Sequence, residues 1–166
     1  MTVTFRPYRP GDAAAVDATI SEKLVPDIDE MALAASAWSF TALHDDTVLG
    51  VGGLVRQTAD RAVAWAHIAP GLPLRWMVEI RRRCELQVTL AEADGIASIE
   101  AEVALDFAPG HAFIHGLGFE CAGVHAHRRI VRYERTAAWL EIPTRMRACL
   151  ELARASLLDG LMRRAA

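Results

Sequence analysis

Lysine is almost missing from this chain. Lys23 is the only one in 166 residues, and every other cationic side chain is an arginine. With alanine abundant, that bias fits a GC-rich genome and says little about function. Net charge is also low, at −3, so no general electrostatic pull toward nucleic acid or anionic lipid is expected. The three cysteines, Cys84, Cys121 and Cys149, are scattered and form no CxxC pair. Neither a disulfide framework nor a thiolate metal site is indicated, and the pattern fits a reducing, cytoplasmic setting. No apolar run reaches membrane-spanning length, and no charged segment followed by an apolar stretch opens the chain, so neither a membrane span nor a leader is expected.

What is present is the balance of a folded globular protein: 52% apolar and 23% charged residues. The length suits one domain with a proper core. Residues 3–8 read as a first strand. Asp12 is placed as the N-cap of a helix with Val16, Ile20 and Leu24 on one face. Pro26 ends that helix, and a shorter one follows over 27–36. Two apolar runs broken by Asp45-Asp46 predict a hairpin, with strands near 38–43 and 48–56, and 61–68 continues it as a fourth strand.

After the compact loop 69–73, residues 74–94 carry the clearest helical pattern. Met77, Ile80, Cys84, Val88 and Ala91 form its stripe, Glu79, Arg82, Arg83 and Glu92 lie off it, and Gly95 is its C-cap. Residues 98–105 alternate strictly, with Ile99, Ala101, Val103 and Leu105 on one face and Ser98, Glu100 and Glu102 on the other. A short helix is expected over 109–117, broken by Gly118, then strands near 119–126 and 128–135. From Pro143 a final amphipathic helix carries Met146, Leu150, Ala153, Leu157 and Leu161 on one side. The division is a domain over 1–137 and a helical extension over 138–166.

Several clusters have both a chemical and a plain reading. His111 and His115 are four apart, a spacing that can put two imidazoles on one metal, and His125 and His127 follow. No carboxylate or cysteine stands at clear ligand spacing, so no metal is assigned. Arg81-Arg82-Arg83 point in different directions on a helix, which favours a solvated face over a phosphate site. Trp38, Trp65, Trp76 and Trp139 read as core or interface anchors. The last helix must bury its stripe, against its own domain, another copy or a different protein.

The element order, together with Phe113 to Gly123 (FIHGLGFECAG) and its Leu117-Gly118-Phe119, resembles the Gcn5-related N-acetyltransferase superfamily over residues 3–136. The strand with Gly50, Gly52 and Gly53 is similar to that family's third. The resemblance implies an α/β (α+β) fold: a mixed, mostly antiparallel sheet flanked by helices, here with an added C-terminal helix. It implies an acetyl-CoA-dependent transfer to an amine, with pantetheine between the fourth and fifth strands and the pyrophosphate at the start of the long helix. Ile68, Gly71, Leu74 and Arg75 then fall to the cofactor. His67 stands near where the family keeps a base, with Glu100 and Glu102 as alternatives; a packed histidine and a solvated strand face are the plain readings of the same residues.

The pattern is altered at three points. The family's glycine-rich loop is Pro70-Gly71-Leu72-Pro73-Leu74-Arg75 here, with one glycine and a proline that removes a donor. Ile114 stands where a tyrosine often protonates the leaving thiolate, and Asp106 or Phe107 replaces a common asparagine. These changes weaken expected acetyl-CoA binding or abolish it. Trp65, the arginine-rich helix and the Phe113-Ile114 to Leu117-Gly118 ending are also similar to degenerate acetyltransferase-like proteins of short-tailed phages. That resemblance implies an inactive virion or assembly component, making protein contacts through its last helix, in place of an enzyme.

Overall fold

The computed structural model describes residues 2–16 and 30–137. In chain order these form strand β1 (Thr4–Pro7), short helices α1 (Asp12–Ala15) and α2 (Glu30–Ala35), then strands β2 (Phe40–His44), β3 (Thr47–Arg56) and β4 (Arg61–Ile68). Helix α3 (Leu74–Ala93), strand β5 (Ser98–Ala104), helix α4 (Ala108–Gly116) and strands β6 (Glu120–His125) and β7 (Ile130–Thr136) complete them. One seven-stranded sheet runs β1-β2-β3-β4-β5-β7-β6. Every neighbouring pair is antiparallel except β4 with β5. The α/β class and the mostly antiparallel sheet are as the sequence predicts. The final helix expected within 138–166, with Trp139, lies outside the described residues, as do Ile20 and Leu24.

Helices α3 and α4 cover one face. Val88 and Ala91 of α3 and Ile114 of α4 pack there against Leu54, Ile99, Ala101 and Phe119. Burying each of Ile80, Ile99 and Phe119 stabilises the fold by roughly 1.5–3 kcal/mol. On the opposite face Tyr8, Val16, Leu33 and Val51 enclose part of Trp65. Gly118 explains the Leu-Gly-Phe ending physically. Its φ of +78° turns the chain sharply after α4, and an added Cβ would press on Arg135 at 3.2 Å. The turn sends Phe119 into the core.

Four expectations need correction. Gly11, not Asp12, is the N-cap residue of α1. Asp12 is the first helical residue, where its carboxylate accepts from Arg6 at 2.6 and 2.7 Å, Arg9 N–H at 2.9 Å and the Thr41 hydroxyl at 2.5 Å. Burial pushes the Asp12 carboxyl up, but these donors outweigh it and hold it below the usual range. Val16 is buried, yet its backbone is extended, so α1 ends at Ala15. The expected strand from 128 begins at Ile130, because Ala126–Arg128 wind into a 3-10 turn. Finally, two side chains read as lying off the apolar stripe are tucked in. Arg83 is half-buried against the rings of Phe5 and Phe40, and Glu92 is buried.

Glu92 is buried for a reason that periodicity cannot show. Arg135 on β7 donates from Nε to Glu92 at 3.0 Å and from Nη1 to the Leu117 carbonyl at 2.5 Å. One guanidinium therefore joins the last turn of α3, the end of α4 and β7. Removing it strands a buried carboxylate, so Arg135→Ala should destabilise the protein by about 2–3 kcal/mol, the low side for a buried pair because Arg135 keeps some solvent contact. Urea unfolding measures this. The double change Glu92→Met with Arg135→Met should recover most of the loss.

Candidate functional site

Strands β4 and β5 pair from Arg61↔Ser98 to Ala64↔Ala101 and no further, although both continue. Past that point they diverge. Outside the gap each stays fully paired, β4 with β3 and β5 with β7. The ladders also fix where the backbone points. Gln57 N–H donates to Arg61 O and Ala69 N–H to Leu49 O, both at 2.9 Å. By the alternation of an antiparallel ladder, Val63, Trp65 and His67 then bond to β3, and Ala66 and Ile68 turn their N–H and C=O groups into the gap. Likewise Leu105 N–H donates to Arg129 O at 2.8 Å, which leaves Glu102 and Ala104 facing the gap from β5. The Glu102 N–H closes the last bond of the parallel ladder, and the Ala104 carbonyl accepts from Phe107 N–H at 3.0 Å. The two rails of free groups lining the opening are therefore those of Ala66 and Ile68, and the Glu102 carbonyl with the Ala104 N–H.

The opening leads into a cavity of about 400 Å³, within the range of small-ligand sites. Its lining reaches Pro70 and Gly71 at one end and α4 at the other. Gly71, at φ +70° with open space around its Cα, makes the turn between β4 and α3 that a side chain would strain. The N-cap of α3 is Pro73, without a side-chain cap. Trp76 and Met77 N–H both donate to Pro73 O. The N–H groups of Leu74 and Arg75 take no backbone acceptor among the described residues and point out of the helix start. Leu74 is 79% exposed and Arg75 is exposed, its guanidinium over the Trp76 ring.

The proposed bases share one face of the sheet. Val63 stands opposite Glu100, so Trp65, His67 and Glu102 lie on that same side, away from α3. His67 and Glu102 line the cavity; Glu100 does not. His67 is half-buried, and burial holds its ring below the ordinary histidine value. Glu102 faces Arg128 at 3.7 Å and Glu100 faces Arg61 at 3.6 Å. Of the residues expected to meet a cofactor, Ile68 and Gly71 line the cavity, whereas Leu74 and Arg75 open helix α3 outside that lining. Ile114 is buried on the cavity wall beside Phe113, so no hydroxyl stands at that position.

The histidines with metal-like spacing have other partners. His111 Nδ1 is 2.8 Å from Tyr133 Oη, and its Nε2 is 3.2 Å from Leu105 O. A carbonyl only accepts, so Nε2 carries the proton and Tyr133 donates to Nδ1. His115 lies edge-on to the same tyrosine. Among the described residues no three His, Cys, Asp or Glu side chains come together as a metal site would need.

Compared by sequence, the chain matches no family model and no curated protein. Compared by shape, it is similar to Ard1 from Thermoplasma volcanium, at TM-score 0.64 and 14% identity over 82% of this chain and 99% of that one. Arabidopsis thaliana Naa50, solved with the bisubstrate analogue CoA-Ac-MVNAL, gives 0.63 and 12% over 82% and 100%. The fold is that of the Gcn5-related acetyltransferases. An acetyltransferase from Streptococcus agalactiae aligns at 0.58 and 18%, over 81% and 98%. At these identities the likeness is one of fold. Within that acetyltransferase fold the backbone rails are residues that sequence reasoning missed, Ala66 and Ala104 above all. Their side chains carry no chemistry, and only the divergence of the strands frees the Ala66 amide groups and the Ala104 N–H.

The His67 shift has a consequence for stability. A histidine held below its unfolded value binds fewer protons folded than unfolded. Its contribution is complete above the ordinary value of about 6.5 and is lost as pH falls through the folded one. Thermal melting between pH 7.5 and about 5 should therefore decline less steeply in His67→Gln than in the parent. Equal slopes would show that the ring titrates as it does in the unfolded chain.

Proposed function

We propose that this protein is an acyl-CoA-dependent N-acyltransferase, an N-acetyltransferase in its simplest form, acting on a primary amine. The observation that carries the reading is the opened seam between β4 and β5. Ala66, Ile68, the Glu102 carbonyl and the Ala104 N–H together offer donors and acceptors along it, which suits the amide-bearing pantetheine arm. The free N–H groups of Leu74 and Arg75 and the Arg75 side chain suit a pyrophosphate at the helix start. Pro73 supplies no N–H there, so the hold is weaker than a glycine-rich loop would give.

The thioester supplies the activated acyl group. His67, kept neutral at pH 7 by its burial, accepts the proton of the acceptor's ammonium on its unprotonated ring nitrogen. Glu102, on the same face, draws the cationic amine toward the gap. As the C–N bond forms and the C–S bond breaks, solvent supplies the proton for the departing sulfur, since Ile114 has none to give. Turnover is slow for that reason.

Titration with acetyl-CoA during thermal unfolding is the direct test. At 100 times its dissociation constant the ligand should stabilise the fold by about 2.7 kcal/mol. Absence of any shift at millimolar acetyl-CoA overturns the reading. In an assay with free amines, His67→Ala should lower the rate at pH 7 by about 100-fold without moving the acetyl-CoA affinity.

Ile114 and Pro73 also favour a second reading: a protein of this fold, of the phage assembly type, that makes protein contacts and no longer turns over substrate. Residues 138–166 would supply the contact. Solution mass and partner capture, with and without that segment, decide it. A monomer whose mass and partners ignore the truncation removes this alternative.

A further inference from the structure

From the shape of the cavity beyond the seam we infer that the site takes acyl-CoA thioesters with uncharged acyl chains longer than acetyl, the chain lying beneath α3. This rests on the acyl-CoA reading above and deepens it.

The cavity does not stop at the rails. Strand register puts Gly52 opposite Ala66, Leu54 opposite Ala64, and Phe40 opposite Gly52. Directly paired residues share a face, and Leu54 and Ala64 pack toward Val88 of α3. The floor on the α3 side therefore steps sideways from Ala66, across Gly52, to Phe40. That direction leads away from β5 and away from where a backbone-paired arm would run. Small residues border it: Ala64 and Ala66 line the cavity, and at Gly52 between Ala66 and Phe40 an added Cβ would meet the Trp65 carbonyl at 3.3 Å and the Ala66 methyl and Phe40 ring at 3.5 Å. Cys84 and Val88 roof it. Packed interiors rarely leave voids larger than a water molecule, so a hollow joined to the reaction site is a feature with an occupant.

Its chemistry narrows that occupant. On the α4 side the wall is Phe113, Ile114 and Leu117, so the side chain that removes a proton donor also completes an apolar enclosure. The Cys84 thiol is neutral, since burial pushes it up to about 12. Gln87 is the other polar group beneath α3. With its amide oxygen toward Arg83 it accepts from Nε and Nη2, both at 3.0 Å. The charged group His67 can become, and the charge of Glu102, stand on the opposite face of the sheet. An alkyl chain fits this enclosure; a chain ending in a carboxylate would lose its hydration, since no cation lines the cavity beneath α3 and Arg83 stands behind Gln87 and Phe40, already held by both.

Isothermal titration of the full chain with CoA, acetyl-, butyryl-, hexanoyl- and succinyl-CoA tests this. Each buried methylene is worth about fourfold in affinity. Butyryl-CoA, two methylenes longer, should therefore bind about fifteenfold tighter than acetyl-CoA, hexanoyl-CoA tighter again, and succinyl-CoA no tighter than acetyl-CoA. Ala64→Leu, which fills the floor, should remove the butyryl advantage. If that variant does not fold, the series on the parent protein decides alone. Acetyl- and butyryl-CoA within about twofold of each other, or succinyl-CoA gaining as much as butyryl-CoA, overturns the inference. Binding of none of the five, CoA included, overturns the acyl-CoA reading itself.

Discussion

A short parallel ladder joins two longer antiparallel ones, and the site exists because of that inequality. β4 is held along its length by β3, and β5 by β7. The two ribbons meet only between Arg61–Ala64 and Ser98–Ala101. Each ribbon is stiff within itself, so the seam is where the sheet gives way. Buried backbone groups left unpaired are costly. An open seam in a folded protein is therefore an invitation to a ligand that can hydrogen-bond along an extended strand.

The rest of the molecule maintains that opening. Helix α3 spans about 30 Å at 1.5 Å per residue and crosses over the seam, with its start near the mouth and its end on the far side. Arg135 pins that far end, meeting Glu92 of α3 and the Leu117 carbonyl after α4. Trp38 adds a second tie there, its indole N–H donating to Asp94 at 3.1 Å. The zipped end of the seam is thus the anchored end, and the open end carries the turn at Gly71 and the exposed helix start. Stability and site are placed at opposite ends of the same two strands.

Most elements were legible because their signals are local. Alternation in 98–105, the stripe of 74–94 and the Asp45-Asp46 turn each need only neighbouring residues to be read. Misplacements occurred where a distant partner overrode the local rule. Asp12 looks like a cap, but Arg6 and Thr41 claim its carboxylate from two strands. Glu92 sits off the apolar stripe, yet Arg135, 43 residues on, makes its burial affordable. Arg83 reads as one of three solvated arginines until the Phe5 and Phe40 rings are brought beneath it. Of the candidate bases, alternation put Glu100 and Glu102 on one face, but only the point at which the strands part decides that Glu102 borders the cavity and Glu100 does not.

The sequence by itself determined the element order, the α/β class, the sharp exit of α4 at Gly118 and the absence of an N–H at Pro73 and of a hydroxyl at Ile114. Those follow from backbone conformation and side-chain identity, which are properties of each residue. Tertiary structure alone decided that β4 and β5 separate after Ala64 and Ala101, that plain alanines become hydrogen-bonding rails, and that a hollow runs beneath α3. Those depend on where two ladders stop matching, a relation between segments far apart in the chain that no single segment encodes.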